Sequence, residues 1–248
     1  MMFQAYPLYD RFEAVRRCGI QTVEFWKWSN KDAAKIAEIL QEKQMKVSVF
    51  NIDSKNEELS YRLSRGILNE GDTSAFLSAL EESIPVYKQL QAEAMIVLLG
   101  EKQAYHPERI YECLKAAAPI LQQEQVKLVV EPLNSFDRKE YVMPYAEPVL
   151  EILKQLDSPQ IRLLYDMYHQ GRMGDFSLDM IRENLDYIGH FHVADVPGRH
   201  EPGTGRMQYP QILQQIEQCN YDKYVGLEYQ ATKPDEETLD FVKGYLHD

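Results

Sequence analysis

The sequence lacks several features that mark whole classes of protein. The apolar run at 94–99 has six residues, far fewer than the roughly 20 that a membrane-spanning helix needs. Basic residues are in the minority, because 27 lysines and arginines stand against 39 acidic residues and leave a net charge of −12. Such a surface repels nucleic-acid phosphates. Charged residues also appear within the first dozen positions, where a signal peptide would be apolar. We therefore expect no membrane, nucleic-acid or secretory role.

Cysteine is also scarce. Cys18, Cys113 and Cys219 are far apart and show none of the spacings typical of metal sites. An odd, widely spaced set of this kind indicates reduced thiols rather than a disulfide framework. We therefore expect a cytoplasmic protein.

What the sequence does contain is a regular alternation of short apolar segments and longer amphipathic ones, without a linker. This alternation predicts one α/β domain over residues 1–248, most simply a (β/α)₈ TIM barrel. The predicted strands are 22–25, 47–51, 94–99, 127–131, 161–166, 188–194 and 224–228. The predicted helices are 8–18, 33–43, 73–90, 107–123, 145–156, 178–184, 209–219 and 236–245.

This set has eight helices but only seven strands, since only residues 1–4 precede the first helix as a candidate strand. Two explanations remain open. The first strand could be truncated because the translation start was placed too late, or the protein could be a natural barrel with a short first strand.

Four consecutive predicted strands deliver side chains that can bind a metal ion. Glu131, Asp166 and Glu228 end their strands, and His192 lies near the end of another. Since the carboxyl ends of parallel barrel strands form one rim, we expect these side chains to lie together. A carboxylate after an apolar strand is costly to bury unless it is paired or metal-bound, although any one of them could cap the next helix. Three carboxylates and an imidazole suit Mn²⁺ or Mg²⁺, and Zn²⁺ or Co²⁺ are also compatible.

Two further histidines lie near this rim. His169 comes three residues after a strand end, where it could reach an oxygen atom of a bound molecule. His190 shares a strand face with the candidate ligand two residues later, and we expect it to be a packed core residue. The turn-rich segment 197–205 predicts a shaped loop over the pocket. Its candidates for substrate contact are Arg199, His200 and Glu201.

The two tryptophans follow one predicted strand. We expect Trp26 to line the pocket and Trp28 to lie at the surface or against a partner chain. The second expectation leaves a homo-oligomer open.

The motifs EPLN, YDMYHQ, GHFHVADVPGRHEPGTG and GLEY together resemble those of the hydroxypyruvate isomerase-like family of xylose-isomerase-type TIM barrels. The likeness includes YPLYDRFEAVRRCGIQTVEF near the start and so covers essentially the whole chain, with PGRHEPGTG as its most specific part. The resemblance implies a sugar or sugar-acid substrate. It also implies metal ligation by Glu131, Asp166, His192 and Glu228, an acid–base pair of Glu131 and Glu228, and substrate contacts from His169 and Arg199.

The leading expectation is isomerisation of a small hydroxy-oxo acid, such as hydroxypyruvate to tartronate semialdehyde, through an enediolate. Three departures from the family pattern leave the substrate open. Some close hydroxypyruvate isomerases carry Gln in place of His192, and family members tend to have Glu in place of Arg206. The segment 135–144 lacks the Gly-Tyr-Phe pattern expected after EPLN.

The alternatives on the same site are a ketose 3-epimerase, a 2-oxo-tetronate isomerase and a non-catalytic barrel that binds sugar acids. DNA repair of the AP-endonuclease kind is disfavoured, because the chain lacks the histidines for several zinc ions and a basic face.

Overall fold

The computed structural model describes residues 2–101 and 104–244. Within these ranges, seven parallel strands form one sheet in sequence order, β1 to β7. The strands agree with the predicted ones to within one residue at each end. They are β1 Thr22–Phe25, β2 Lys46–Asn51, β3 Ala94–Leu98, β4 Leu128–Glu131, β5 Ile161–Asp166, β6 Ile188–Val193 and β7 Val225–Leu227.

Helices alternate with these strands, and in the described residues none is both long and apolar enough to cross a membrane. The α-helices are α1 Asp10–Arg17, α2 Ala33–Lys43, α3 Glu57–Arg65, α4 Thr73–Leu90, α5 Pro107–Glu124, α6 Ala146–Leu156, α7 Met167–Met173, α8 Leu178–Glu183, α9 Tyr209–Gln218 and α10 Asp235–Thr238. Short 3₁₀ helices cover Leu68–Glu70, Leu185–Tyr187 and Asp240–Gly244.

Two helices were missing from the sequence prediction, α3 and α7. The predicted helix 236–245 is instead α10 followed by a 3₁₀ turn, and Tyr245 lies outside the described residues. Both missed helices are short, nine and seven residues, and each begins at a side-chain cap. Asn56 accepts a hydrogen bond from the backbone N–H of Leu59 at the start of α3. Such caps satisfy backbone donors that a helix start leaves unpaired.

The central strands are buried on both faces, as parallel strands covered by helices must be. All five residues of β3 and all four of β4 are buried. Glu131 is thus the buried polar end of a strand whose other residues are apolar and buried. The same arrangement of buried strand and polar end holds for β5 and Asp166.

The predicted TIM-barrel fold is confirmed, as a nearly closed barrel. No strand precedes α1 in the described residues, and the sheet order leaves β1 and β7 as its two edges. The N-terminal segment before α1 is tied to α10. The Phe3 backbone N–H donates to Asp235 Oδ2 at 2.8 Å, and the Tyr6 hydroxyl donates to Glu236 Oε1 at 2.6 Å.

Candidate metal centre and active site

The four predicted ligands meet at the carboxyl ends of β4 to β7. Glu131 and Asp166 are the last residues of β4 and β5, His192 is the penultimate residue of β6, and Glu228 directly follows β7. One ligand atom from each lies within 4.8 Å of the others. The parallel register explains this, since Asp166 pairs with His192 and Val193 pairs with the residue before Glu228.

The cluster concentrates three carboxylates in a buried place. The exposed fractions of Glu131, Asp166 and Glu228 are 6%, 1% and 9%. Burial raises the pKa of Glu131 and Asp166 above their usual range. Burial acts in the same direction on Glu228, but the charges of Arg199 and His192 outweigh it and hold the pKa of Glu228 well below its usual range. The pocket therefore needs positive charge to keep its carboxylates ionised.

Asp166 has two tasks at once. Its Oδ1 accepts hydrogen bonds from the backbone N–H groups of Tyr168, at 2.7 Å, and His169, at 3.1 Å. It thereby caps α7, as the sequence allowed for any one of these carboxylates. Its Oδ2 lies 3.5 Å from His169 Nε2 and 3.9 Å from Arg199 Nη2, on the pocket side. One oxygen is thus engaged by the backbone and the other faces the site.

The residues present fit a divalent cation. Nδ1 of His192 lies 3.5 Å from both Glu131 Oε1 and Glu228 Oε2, and it has no hydrogen-bond partner among the described residues. A buried imidazole nitrogen without a partner and the carboxylate oxygens around it together form a suitable ligand set for Mn²⁺, Mg²⁺ or Zn²⁺. Burial opposes protonation of His192, but Glu24 and Glu228 outweigh it and raise its pKa well above the usual value.

Arg199 is one of the two predicted substrate contacts, and it reaches the cluster from the loop 197–205. It donates to Oε2 of Glu228, and its guanidinium lies 5.1 Å from the ring centre of Tyr168. Its backbone is left-handed, with φ +57°, in a loop that Asp195 holds together. Oδ1 of Asp195 accepts from the backbone N–H groups of Val196 and Met207, and Oδ2 accepts from that of Gly203.

The side chains of the other two loop residues, His200 and Glu201, contact the segment after β7 and not the cluster. His200 Nδ1 donates to the carbonyl oxygen of Gln230 at 2.7 Å. Glu201 accepts from the backbone N–H and the hydroxyl of Thr232. Both side chains therefore hold the loop against the segment after β7. A turn-rich sequence predicts a loop, but it does not indicate which of its side chains faces the site.

His169 faces the site in a defined tautomer. Its Nδ1 lies 3.0 Å from the backbone nitrogen of Asn134 and 2.6 Å from the side-chain Nδ2 of Asn134. Two donors aimed at Nδ1 place the ring proton on Nε2, which lies on the side of Asp166 and has no hydrogen-bond partner among the described residues. Burial, aided by the charge of Arg199, lowers the pKa of His169 to about 4. His169 is therefore a neutral donor directed into the pocket.

Sequence reasoning missed Glu24, which lies in β1 and contacts two histidines of β6. His190 Nε2 is 3.1 Å from Glu24 Oε2 and His192 Nε2 is 3.3 Å from Glu24 Oε1. The prediction of His190 as a paired core residue is confirmed, with 2% exposure. A charged residue inside a strand, Val-Glu-Phe, was the available signal for Glu24.

The tryptophans divide differently from the prediction. Trp26 is 53% exposed, and its indole N–H donates to Oε1 of Glu228 at 2.7 Å, at the edge of the cluster. Trp28 is not at the surface: it is 5% exposed, and its N–H donates to the Ser83 hydroxyl oxygen at 2.9 Å. The interface prediction for Trp28 is therefore wrong.

Comparison with known proteins agrees with the barrel fold described above. The family model described as the xylose isomerase-like TIM barrel matches residues 12–245. A hydroxypyruvate isomerase of Escherichia coli K12 is 28% identical over 251 residues, covering 99% of this chain and 96% of that protein. A 2-oxo-tetronate isomerase of Pectobacterium atrosepticum is 26% identical, with 99% and 95% coverage.

Solved structures share the fold. A structure titled AP endonuclease, family 2, from Brucella melitensis has a TM-score of 0.91 at 24% identity and covers 99% of this chain and 96% of its own. A D-psicose 3-epimerase in the presence of D-fructose has a TM-score of 0.76 at 17% identity, with 97% and 94% coverage. At these identities the similarity concerns the barrel and not its chemistry.

Proposed function

The chain belongs to the xylose isomerase-like TIM barrel family, and on this basis we propose that it is a metal-assisted isomerase of a small hydroxy-oxo acid, with residues 1–248 as one catalytic domain. The substrate is hydroxypyruvate, or the four-carbon 2-oxo-tetronate on which a 26%-identical relative is named to act. The observation that carries the proposal is the meeting of four ligand side chains with Arg199 and a neutral His169 in one pocket.

In this proposal a divalent ion, Mn²⁺ or Mg²⁺ first and Zn²⁺ or Co²⁺ as alternatives, is held by Glu131, Asp166, His192 and Glu228. When bound, it supplies positive charge that stabilises an enediolate. Arg199 binds the substrate carboxylate through its two-pronged guanidinium.

The glutamates carry the protons. One of Glu131 and Glu228 takes a proton from the hydroxymethyl carbon C3 of hydroxypyruvate, and the other delivers a proton to the carbonyl carbon C2. The hydroxyl proton on O3 passes to O2, so the product, tartronate semialdehyde, has the same atoms. The Nε2–H of His169 donates a hydrogen bond to a substrate oxygen during this shift. Positioned acid–base groups of this kind contribute about 10²–10⁴-fold each.

We place the reaction in the cytoplasm. The three cysteines, all within the described segments, are not joined by disulfides, which fits a reducing compartment.

The test is proton NMR of hydroxypyruvate and of 2-oxo-tetronate in D₂O, with metal-stripped protein before and after addition of Mg²⁺. We expect deuterium at the carbon next to the carbonyl, and the aldehyde product, only after Mg²⁺ is added. Glu131→Gln lowers the rate by about 10²-fold or more. Glu101→Gln is the matched control: its side chain is 5% exposed and pairs with Arg65 and Arg138 at the same rim, so its rate should stay near that of the wild type.

Three outcomes would overturn the proposal. Exchange that occurs only with a neutral ketose would assign the site to 3-epimerisation. Absence of exchange with every substrate, under Mg²⁺ or Mn²⁺, would favour a barrel that binds without turnover. An equal loss of rate in Glu131→Gln and Glu101→Gln would show that Glu131 has no specific acid–base role in the reaction.

A further inference from the structure

His192 is placed between carboxylates on both of its nitrogens. Nδ1 faces the cluster, 3.5 Å from Glu131 Oε1 and 3.5 Å from Glu228 Oε2. Nε2 faces the opposite way, 3.3 Å from Glu24 Oε1. A neutral imidazole has one N–H, so the two sides compete for it. If the proton is on Nδ1, the nitrogen that faces the cluster cannot bind a cation.

The surroundings of Glu24 favour a proton on Nε2 of His192. Its Oε2 is already engaged by His190 Nε2, at 3.1 Å, and by the Ser48 hydroxyl, at 3.2 Å. Oε1 is left without another partner among the described residues, as is Nε2 of His192. A proton on Nε2 brings these two buried atoms into a favourable contact, because Oε1 is the carboxylate oxygen nearest to it, 3.3 Å from Nε2. A proton on Nδ1 leaves both of them without a partner in the buried interior, which is unfavourable.

The neighbouring strand leaves room for this carboxylate. Gly226 of β7 pairs with His192 in the sheet register, and a Cβ at position 226 would lie 2.4 Å from Glu24 Oε1 and 2.6 Å from Oε2. Any other residue at this position would push the carboxylate away from the imidazole. The glycine is thus a spatial requirement of the Glu24–His192 contact, independent of the hydrogen-bond geometry.

We propose that Glu24 is a positioning residue for the metal centre: it holds the proton of His192 on Nε2, so that Nδ1 presents its lone pair to the pocket formed with Glu131, Asp166 and Glu228. Carboxylates that receive the second N–H of a metal-binding histidine fix its tautomer and its ring orientation, and their loss typically costs 10–100-fold in metal affinity or activity. The inference rests on the proposed function, because it assumes that the cluster binds a cation.

The tautomer can be observed without metal. Long-range ¹H–¹⁵N NMR of histidine-labelled, metal-stripped protein, at a pH high enough to make the ring neutral, shows which nitrogen of His192 carries the proton. We expect Nε2–H in the wild type and in Glu24→Gln, whose amide oxygen still accepts. In Glu24→Ala we expect a shift toward Nδ1–H, since Glu131 and Glu228 are then the acceptors in reach. An Nδ1–H ring in the wild type, or the same tautomer in wild type and Glu24→Ala, overturns the proposal.

Metal affinity is measured separately, by titration of Mn²⁺ followed by the electron paramagnetic resonance of the free ion. We expect Glu24→Ala to weaken Mn²⁺ binding 10–100-fold and Glu24→Gln to stay within about tenfold of the wild type. Ser48→Ala, which removes a contact to the other oxygen of Glu24, is the matched control and should change the affinity by less than about threefold.

Gly226→Ala tests the same contact from the opposite strand. It should weaken Mn²⁺ binding as Glu24→Ala does, and the double variant should be no weaker than Glu24→Ala alone, since there is then no carboxylate to displace. Additive losses overturn the proposal. So does binding of two Mn²⁺ ions per chain with one lost in Glu24→Ala, because Glu24 would then be a ligand. If the wild type binds no Mn²⁺, the proposed function fails first.

Discussion

The indole N–H of Trp26 donates a hydrogen bond to Oε1 of Glu228, 2.7 Å away. Trp26 follows β1 and Glu228 follows β7, so this contact joins the two edges of the sheet at the site. The other oxygen of Glu228, Oε2, accepts from Arg199. Both oxygens of one proposed acid–base group are therefore held by side chains from other parts of the rim, and its orientation is set before a substrate arrives.

Replacement of Trp26 by another aromatic residue should lower the rate. Trp26→Phe keeps an aromatic ring but deletes the N–H, and a hydrogen bond to a charged group is worth about 1.5–3 kcal/mol. We expect kcat to fall by about tenfold or more. Steady-state kinetics checks this, with Trp28→Phe as the control, because Trp28 donates to Ser83 away from the cluster. An equal fall in both variants would contradict the assignment.

Arg199→Lys should discriminate between acid and neutral substrates. A lysine keeps the positive charge but cannot make the two parallel hydrogen bonds that a guanidinium makes to a carboxylate. We expect KM for hydroxypyruvate to rise by about 10–100-fold, with little change for any neutral ketose that is turned over. Arg206→Lys is the control, since Arg206 belongs to the same loop but donates to the carbonyl oxygen of Gly171. Unchanged KM in Arg199→Lys would rule out carboxylate recognition.

His169 makes the metal-stripped protein sensitive to acid. Its pKa is lowered to about 4 in the fold by burial and by Arg199, and it returns to about 6.5 in the unfolded chain. Between these two pKa values the unfolded chain binds a proton that the folded chain does not. The contribution of His169 to the free energy of unfolding is therefore complete above pH 6.5 and is lost as the pH falls toward 4. We expect this loss to lower the free energy of unfolding by about 3 kcal/mol.

Urea unfolding from pH 7 to pH 4 measures this contribution as the difference between wild type and His169→Gln. The two stability curves should converge as the pH falls, because the variant has no imidazole to titrate. Parallel curves would mean that His169 keeps its ordinary pKa in the fold.

Two glycines with positive φ should tolerate alanine very differently. Gly66 has φ +98°, and a Cβ there would lie 2.3 Å from the backbone nitrogen of Gly100. Gly174 has φ +75° but nothing within 4 Å of its Cβ position. We expect Gly66→Ala to lower the free energy of unfolding by about 3 kcal/mol or more and Gly174→Ala by about 1 kcal/mol. Thermal and urea unfolding compare the two, and equal losses would refute the close approach of backbone to backbone at Gly100.

The strands were predictable because short segments rich in β-branched and aliphatic residues alternate with amphipathic segments along the chain, and this pattern is local. The missed helices α3 and α7 are short and begin at single capping side chains. In α7 the capping residue is Asp166 itself, which the sequence shows only as a candidate ligand. A carboxylate that caps a helix with one oxygen and faces a pocket with the other cannot be recognised from its neighbours in the chain.

The candidate ligands were also predictable, since strand ends in a parallel barrel share one rim. The direction of each loop side chain was not. Arg199 enters the pocket while His200 and Glu201 bind to residues 230–232, and all three lie in one turn-rich segment. Glu24 was missed because its partners, His190 and His192, come from the far end of the sequence.

The sequence by itself determined the order of the strands, their burial and the polar residues at or near the ends of the last four strands, because these follow from local hydrophobic patterns and from the geometry of parallel sheets. Only the tertiary structure decided how those residues are used. It sets Trp26 and Glu24 of one sheet edge against Glu228, Gly226 and His192 near the other. Charges and hydrogen bonds act over a few ångströms in space, and the fold alone brings residues about 200 positions apart to that distance.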